Sequence, residues 1–180
     1  MRASTLLASF ALATALAAPV AAQDRPIQLA LVNPVQLVPE GQGISVVRLN
    51  LIYSVNRSVN GLDVGLVNVT SGGASSGVQW AVASVNRGAF TGWQGGFGGI
   101  VGVAAITEGP FVGLQSAFYT SARQGRGVQI GLLNTAANWN GLQFGLLNMA
   151  QQLHGVQIGV LNVIKTGGKF PVFPIVNWSF

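Results

Sequence analysis

The side chains that could act as acids, bases or ligands are few and far apart. The acids are Asp24, Glu40, Asp63 and Glu108; His154 is the single histidine, and there is no cysteine. Acid–base chemistry needs its groups held within hydrogen-bond reach of one substrate, and no two of these acids stand at a spacing that brings them together. A metal site needs three or four ligands, which one histidine and no thiolate cannot supply. An enzyme built on this chain would have to draw on Asp63, Glu108 and His154. The expectation is therefore that the protein is not an enzyme, with no catalytic, cofactor-binding or metal-binding residues and no cofactor.

Other motifs reduce to structural roles. The run Gly95-Gly96-Phe97-Gly98-Gly99 lacks the spacing of a dinucleotide fingerprint, and no Gly-Lys-Ser or Gly-Lys-Thr follows it. Glycine at a turn or on a crowded sheet face explains it better. Asn-X-Ser/Thr triplets begin at Asn56, Asn68 and Asn177, and a motif this short carries little weight. His154 stands where Asn140 and Arg126 stand in neighbouring repeats, which makes it a polar strand-end residue. The cations, among them Arg48, Arg57, Arg87, Arg123, Arg126, Lys165 and Lys169, form no run, so nucleic-acid binding has little support.

The elements that must carry these residues are strands. Only 7% of residues are charged while 49% are hydrophobic, against about 25% charged in an ordinary soluble domain. Such a surface faces lipid or belongs to an assembly. The amino terminus reads as a secretory leader: Arg2, an apolar stretch over residues 5–18, and Val20-Ala21-Ala22 before Gln23. Residues 1–22 are thus assigned as a signal peptide cleaved after Ala22, and 23–180 as a single β-repeat domain. Beyond the leader no apolar run reaches the roughly 20 residues of a spanning helix, and the 25 glycines argue against helices.

The second half repeats every fourteen residues. Gly127-Val128-Gln129-Ile130-Gly131-Leu132-Leu133-Asn134 returns as Gly141-Leu142-Gln143-Phe144-Gly145-Leu146-Leu147-Asn148. It returns again as Gly155-Val156-Gln157-Ile158-Gly159-Val160-Leu161-Asn162, and Gly61-Leu62-Asp63-Val64-Gly65-Leu66-Val67-Asn68 is an earlier copy. Turn-forming or polar pairs recur in step at 95–96, 109–110, 123–124, 137–138, 151–152 and 165–166. Twelve residues of strand and two of turn make one period. Strands are predicted near 97–108, 111–122, 125–136, 139–150 and 153–164, with less regular ones near 27–33, 44–56, 59–70, 75–86, 89–94 and 169–180.

Alternate residues of a strand face opposite ways. One face of the last repeat carries His154, Val156, Ile158, Val160, Asn162 and Ile164; the other carries Leu153, Gly155, Gln157, Gly159, Leu161 and Val163. A bulky apolar band backed by Gly and Gln suits a barrel wall. The predicted fold is all-β: an antiparallel meander of about 10–11 strands, curved or closed as a small barrel. A β-solenoid is the alternative, in which Asn134, Asn148 and Asn162 would stack in one row. The turn pairs, the alternation and a terminal Phe180 favour the barrel; the asparagines and Pro171 and Pro174 favour the solenoid.

The repeated Gly-[Val/Leu]-Gln-[Ile/Phe]-Gly-[Leu/Val]-Leu-Asn motif, strongest over 127–162, resembles a family of bacterial surface-repeat proteins of spirochaetes and other Gram-negative lineages. The resemblance implies an outer-membrane or surface location and brings no catalytic residues. Phe180, with Trp178 and Val176 on its face, is similar to the closing signal of outer-membrane barrels. The expected function is that of an exported outer-membrane or surface protein with a structural or interaction role. A small passive pore is the alternative and an enzyme a distant third. Its expected partners are the outer-membrane lipid bilayer and its assembly machinery, with no nucleic acid.

Overall fold

A computed structural model describes residues 23–96 and 102–180. The leader assigned to residues 1–22 lies outside them, as does the start of the strand predicted at 97–108. The described residues are all-β: β1 (Arg25–Val32), β2 (Val35–Gln36), β3 (Ile44–Asn56), β4 (Asn60–Thr70), β5 (Ser75–Asn86), β6 (Phe90–Gly95), β7 (Ala104–Ser116), β8 (Tyr119–Thr166) and β9 (Val172–Ser179). They form one sheet in the order β2-β1-β3-β4-β5-β6-β7-β8-β9, with β5 also meeting β7.

Sequential order was expected; the direction of pairing corrects the expectation. From β1 against β3 through β7 against β8, every pairing is parallel. Antiparallel partners occur only at the two ends, β2 on β1 and β9 on β8. Consecutive strands that pair in parallel, with almost no chain between them, must wind in one rotational sense. The chain is therefore a β-solenoid, the alternative architecture, and not an antiparallel meander or barrel. The pairs at 123–124, 137–138 and 151–152 lie within the 48 residues of β8, where they turn corners of a coil without reversing it.

Like-on-like stacking of buried amides supplies the physical reason. Asn134 Nδ2 donates to Asn148 Oδ1 at 2.7 Å, and Asn148 Nδ2 to Asn162 Oδ1 at 2.8 Å. Hairpins would instead have set Asn148 against Gly155. A second row runs beside the first: Gln129 donates to Gln115 at 2.8 Å, Gln143 to Gln129 at 2.6 Å and Gln157 to Gln143 at 2.7 Å. The two rows donate in opposite directions along the axis. All these amides are fully buried, where an unmade hydrogen bond costs about 1–3 kcal/mol. A slip of one coil against the next by one residue would break both rows at once.

Toward the N-terminal end the glutamine position is taken by charge. Arg48 is fully buried and grips Asp63 with two bonds of 2.7 Å, and Gln79 donates to the same carboxylate at 2.6 Å. Each charge is thereby paired, as burial requires.

Between the amide rows runs an apolar core of Phe90, Phe111, Ala122, Trp139, Ala150, Leu153 and Ile164. Phe90 and Phe111 stack at 6.0 Å and 8°, and Phe111 stacks on Trp139 at 6.0 Å and 21°. The register places Gly125, not Trp139, next to Phe111. With no side chain there, the indole leans across an entire coil; a Cβ on Gly125 would strike its ring. Gly141 shows the other use of glycine. Its φ of 133° is closed to most side chains, and a Cβ would collide with the carbonyl oxygen of Gly127 one coil back.

Alternation also breaks where the coil bends. Val160 and Leu161 are both exposed, at 68% and 42%, whereas Asn162 and Ile164 are buried. The predicted faces placed Leu161 inside and Asn162 and Ile164 outside. A corner between the two residues inverts the parity.

Candidate interaction face

Outward-facing residues stack in columns just as the inward ones do. One column runs Leu62, Val78, Trp93, Leu114 and Val128 by register, continues one period at a time to Leu142 and Val156, and meets Trp178. The next holds Leu29, Leu49, Val64, Trp80, Gly95, Ser116 and Ile130, then Phe144 and Ile158, and ends on Val176. A third carries Leu66, Val82, Val103, Phe118, Leu132, Leu146 and Val160; backbone bonds from Val103 to Val82 and from Tyr119 to Val103 fix its middle. These three columns form one sheet face without a charged residue, termed face A here.

Face A is large. About ten rows at about 4.8 Å, and three columns side by side, give about 43 Å by 18 Å, or about 800 Å². The largest apolar patch on an ordinary monomer is about 300–600 Å². Phe144, Leu146 and Val160 are each more than half exposed, and so are Leu51, Ile27 and Val35 toward the other end. There Leu29, Leu31, Val35, Leu37, Leu49 and Leu51 line an apolar cleft of about 630 Å³. Near the middle, Gly95 and Ser116 leave a dip. Beside it Trp80 and Trp93 meet edge-on at 5.3 Å, and Trp93 Nε1 donates to Ser116 Oγ at 2.9 Å.

One charged edge lies on the far side, and Arg126 stands at the margin of face A, one column beyond Val128. Arg87, Glu108, Arg123, Gln151 and Lys165 follow one another along an exposed edge, a column that also includes Ala137. Ala137 is seven residues from Ile130 in a coil of fourteen, so this edge sits across the coil from face A. A groove of about 410 Å³ runs beside it over Ala122, Ala136 and Ala150. The cross-section is amphipathic: apolar columns on one side, a charged edge on the other.

The residues considered for chemistry are spread among separate coils. Asp63 is committed to Arg48 and Gln79 inside the coil. Asp24 pairs with Arg57 at 2.9 Å at the surface, and Glu40 accepts a hydrogen bond from Asn33. Glu108 belongs to the charged edge, and His154 meets Phe180 edge-on at 6.0 Å. Among the described residues no three His, Asp or Glu side chains gather as a metal-binding group. Asn56, Asn68 and Asn177, the starts of the Asn-X-Ser/Thr triplets, are fully buried. No helix among the described residues is long and apolar enough to cross a membrane.

Sequence reasoning found the apolar band and the inward glutamines. It missed that Leu66, Val82 and Phe118 extend the band over the less regular coils, although stepping back from Leu132 by one period reaches Phe118. Compared with family models, curated proteins and solved structures, the chain matches none of them. Its own geometry defines its class: a parallel β-solenoid, capped at both ends by antiparallel strands, with one apolar side.

Proposed function

We propose that the chain serves as an exported, surface-attached protein of a Gram-negative cell envelope. Its role is structural or interactive and is carried by face A, not by catalysis. The observation that carries this reading is the apolar face, with no charge in its three columns among the described residues, opposite a charged edge. A monomer free in water has no use for about 800 Å² of flat apolar sheet, which marks an interaction site when polar residues border it. The leader-like residues 1–22 and the likeness of the repeat to bacterial surface-repeat proteins support the location. A passive pore would need a closed lumen, whereas the coil interior is filled by buried amides and rings.

Expression with the native amino terminus in a Gram-negative host, followed by fractionation, tests the reading. The protein should leave the cytoplasm and sediment with the envelope. A Phe144→Glu, Leu146→Glu double variant should move to the soluble fraction while keeping its β circular-dichroism spectrum. A protein that stays in the cytoplasm, or an envelope association indifferent to face A, would refute it.

A further inference from the structure

We propose that the occupant of face A is the lipid bilayer itself, with the solenoid lying on its side and face A sunk into the acyl-chain boundary. This rests on the reading of face A as the working surface and names its partner. A second copy, packed sheet on sheet, is the rival occupant, and the area of face A alone would suffice for it.

Three observations favour lipid. First, the apolar surface does not stop at the flat face. It rounds one margin through Leu133, Leu147 and the exposed Leu161 and continues over the C-terminal end through Val172 and Ile175. A flat copy-to-copy contact would leave these flanks in water, whereas a fluid bilayer wraps over a rounded margin. Second, among the described residues, the backbone of the inner coils is hydrogen-bonded to the coils on either side. Sinking the face therefore forces few unsatisfied peptide groups into hydrocarbon, the condition that limits what lipid accepts. Third, Arg87, Glu108, Arg123 and Lys165 are held across the coil from the face, while exposed Arg126 stands one column beyond Val128 at its margin, where a long cation keeps its head in water as its stem lies on apolar surface. Binding so constituted depends on apolar area and hardly on headgroup charge.

The protein carries its own reporters, since Trp80, Trp93 and Trp178 belong to face A while Trp139 is buried in the core. Purified exported protein is mixed with vesicles of pure phosphatidylcholine, which have no net charge. It should float with them equally at low and high salt. Its tryptophan emission should shift to the blue and be quenched by phosphatidylcholine brominated along the acyl chains. The Phe144→Glu, Leu146→Glu variant should lower the vesicle-bound fraction about tenfold or more, whereas Gln151→Glu on the charged edge should not. Quenching of the unaltered protein needs no variant and stands if the double variant misfolds.

Failure to float would overturn the proposal, as would a stable dimer in solution whose tryptophans brominated lipid cannot reach. Binding only to anionic vesicles, lost at high salt, would overturn it too. Each of these outcomes leaves face-dependent envelope association in cells intact as a separate result.

Discussion

Asn148 shows what a single residue contributes to this architecture. It accepts from Asn134, donates to Asn162 Oδ1 and donates to the carbonyl of Ile158 at 2.9 Å. Removing it strands a donor on one neighbour and an acceptor on the other, both out of reach of water. Asn148→Ala should cost about 2–4 kcal/mol in urea unfolding, more than one neutral hydrogen bond is worth, because the partners left behind pay desolvation. Asn140, exposed at the start of the same repeat, offers the contrast: Asn140→Ala should change stability by no more than about 0.5 kcal/mol. Equal effects at the two positions would mean that the buried row does not bear on stability. Both asparagines are polar residues at strand ends when viewed along the chain, and only the stacking separates them.

Among the elements, β9 has the most to prevent. It covers β8 on one edge and presents its other edge to water, where a free strand edge invites another chain to pair. Pro171 and Pro174 remove two backbone donors from that region, and Ile175, with a φ of 69°, bends the strand out of regular extension. A Pro171→Thr, Pro174→Thr variant should form end-to-end oligomers visible by light scattering at concentrations where the unaltered protein is monodisperse. Unchanged particle size would mean that another feature guards the end. The boundaries of β3, β4 and β5 were legible in the sequence to within a residue, since strand residues and turn residues alternate plainly there. The direction of pairing was not. Alternating faces and turn pairs look the same whether the chain reverses or keeps winding, and only Asn134, Asn148 and Asn162, with Pro171 and Pro174, spoke for winding. The apolar band was likewise legible as a band. Its setting was not, because an alternating strand suits a barrel wall and the outer side of a coil equally. Parity failed at Leu161 and Asn162 because a corner is set by closure of the coil, which no local run of residues encodes.

On the scale of the whole molecule, each inner coil pairs, among the described residues, with the coil before it and the coil after it, as in other solenoids. The amide rows, the aromatic stack through Phe111 and Trp139, and face A all run along that one axis. The coil-to-coil hydrogen bonds lie along the axis as well, which decides how the molecule responds to load. Tension applied at the two ends peels the outermost strand and stresses its bonds one after another, like a zipper, instead of shearing a whole sheet at once. Force spectroscopy on a tethered chain should therefore show low, evenly spaced rupture events. Over the regular coils, each should release fourteen residues and lengthen the tether by about 45 Å; one abrupt rupture of the full length would contradict it. A protein built this way is stiff against bending yet yields to a pull on its tail, one turn at a time.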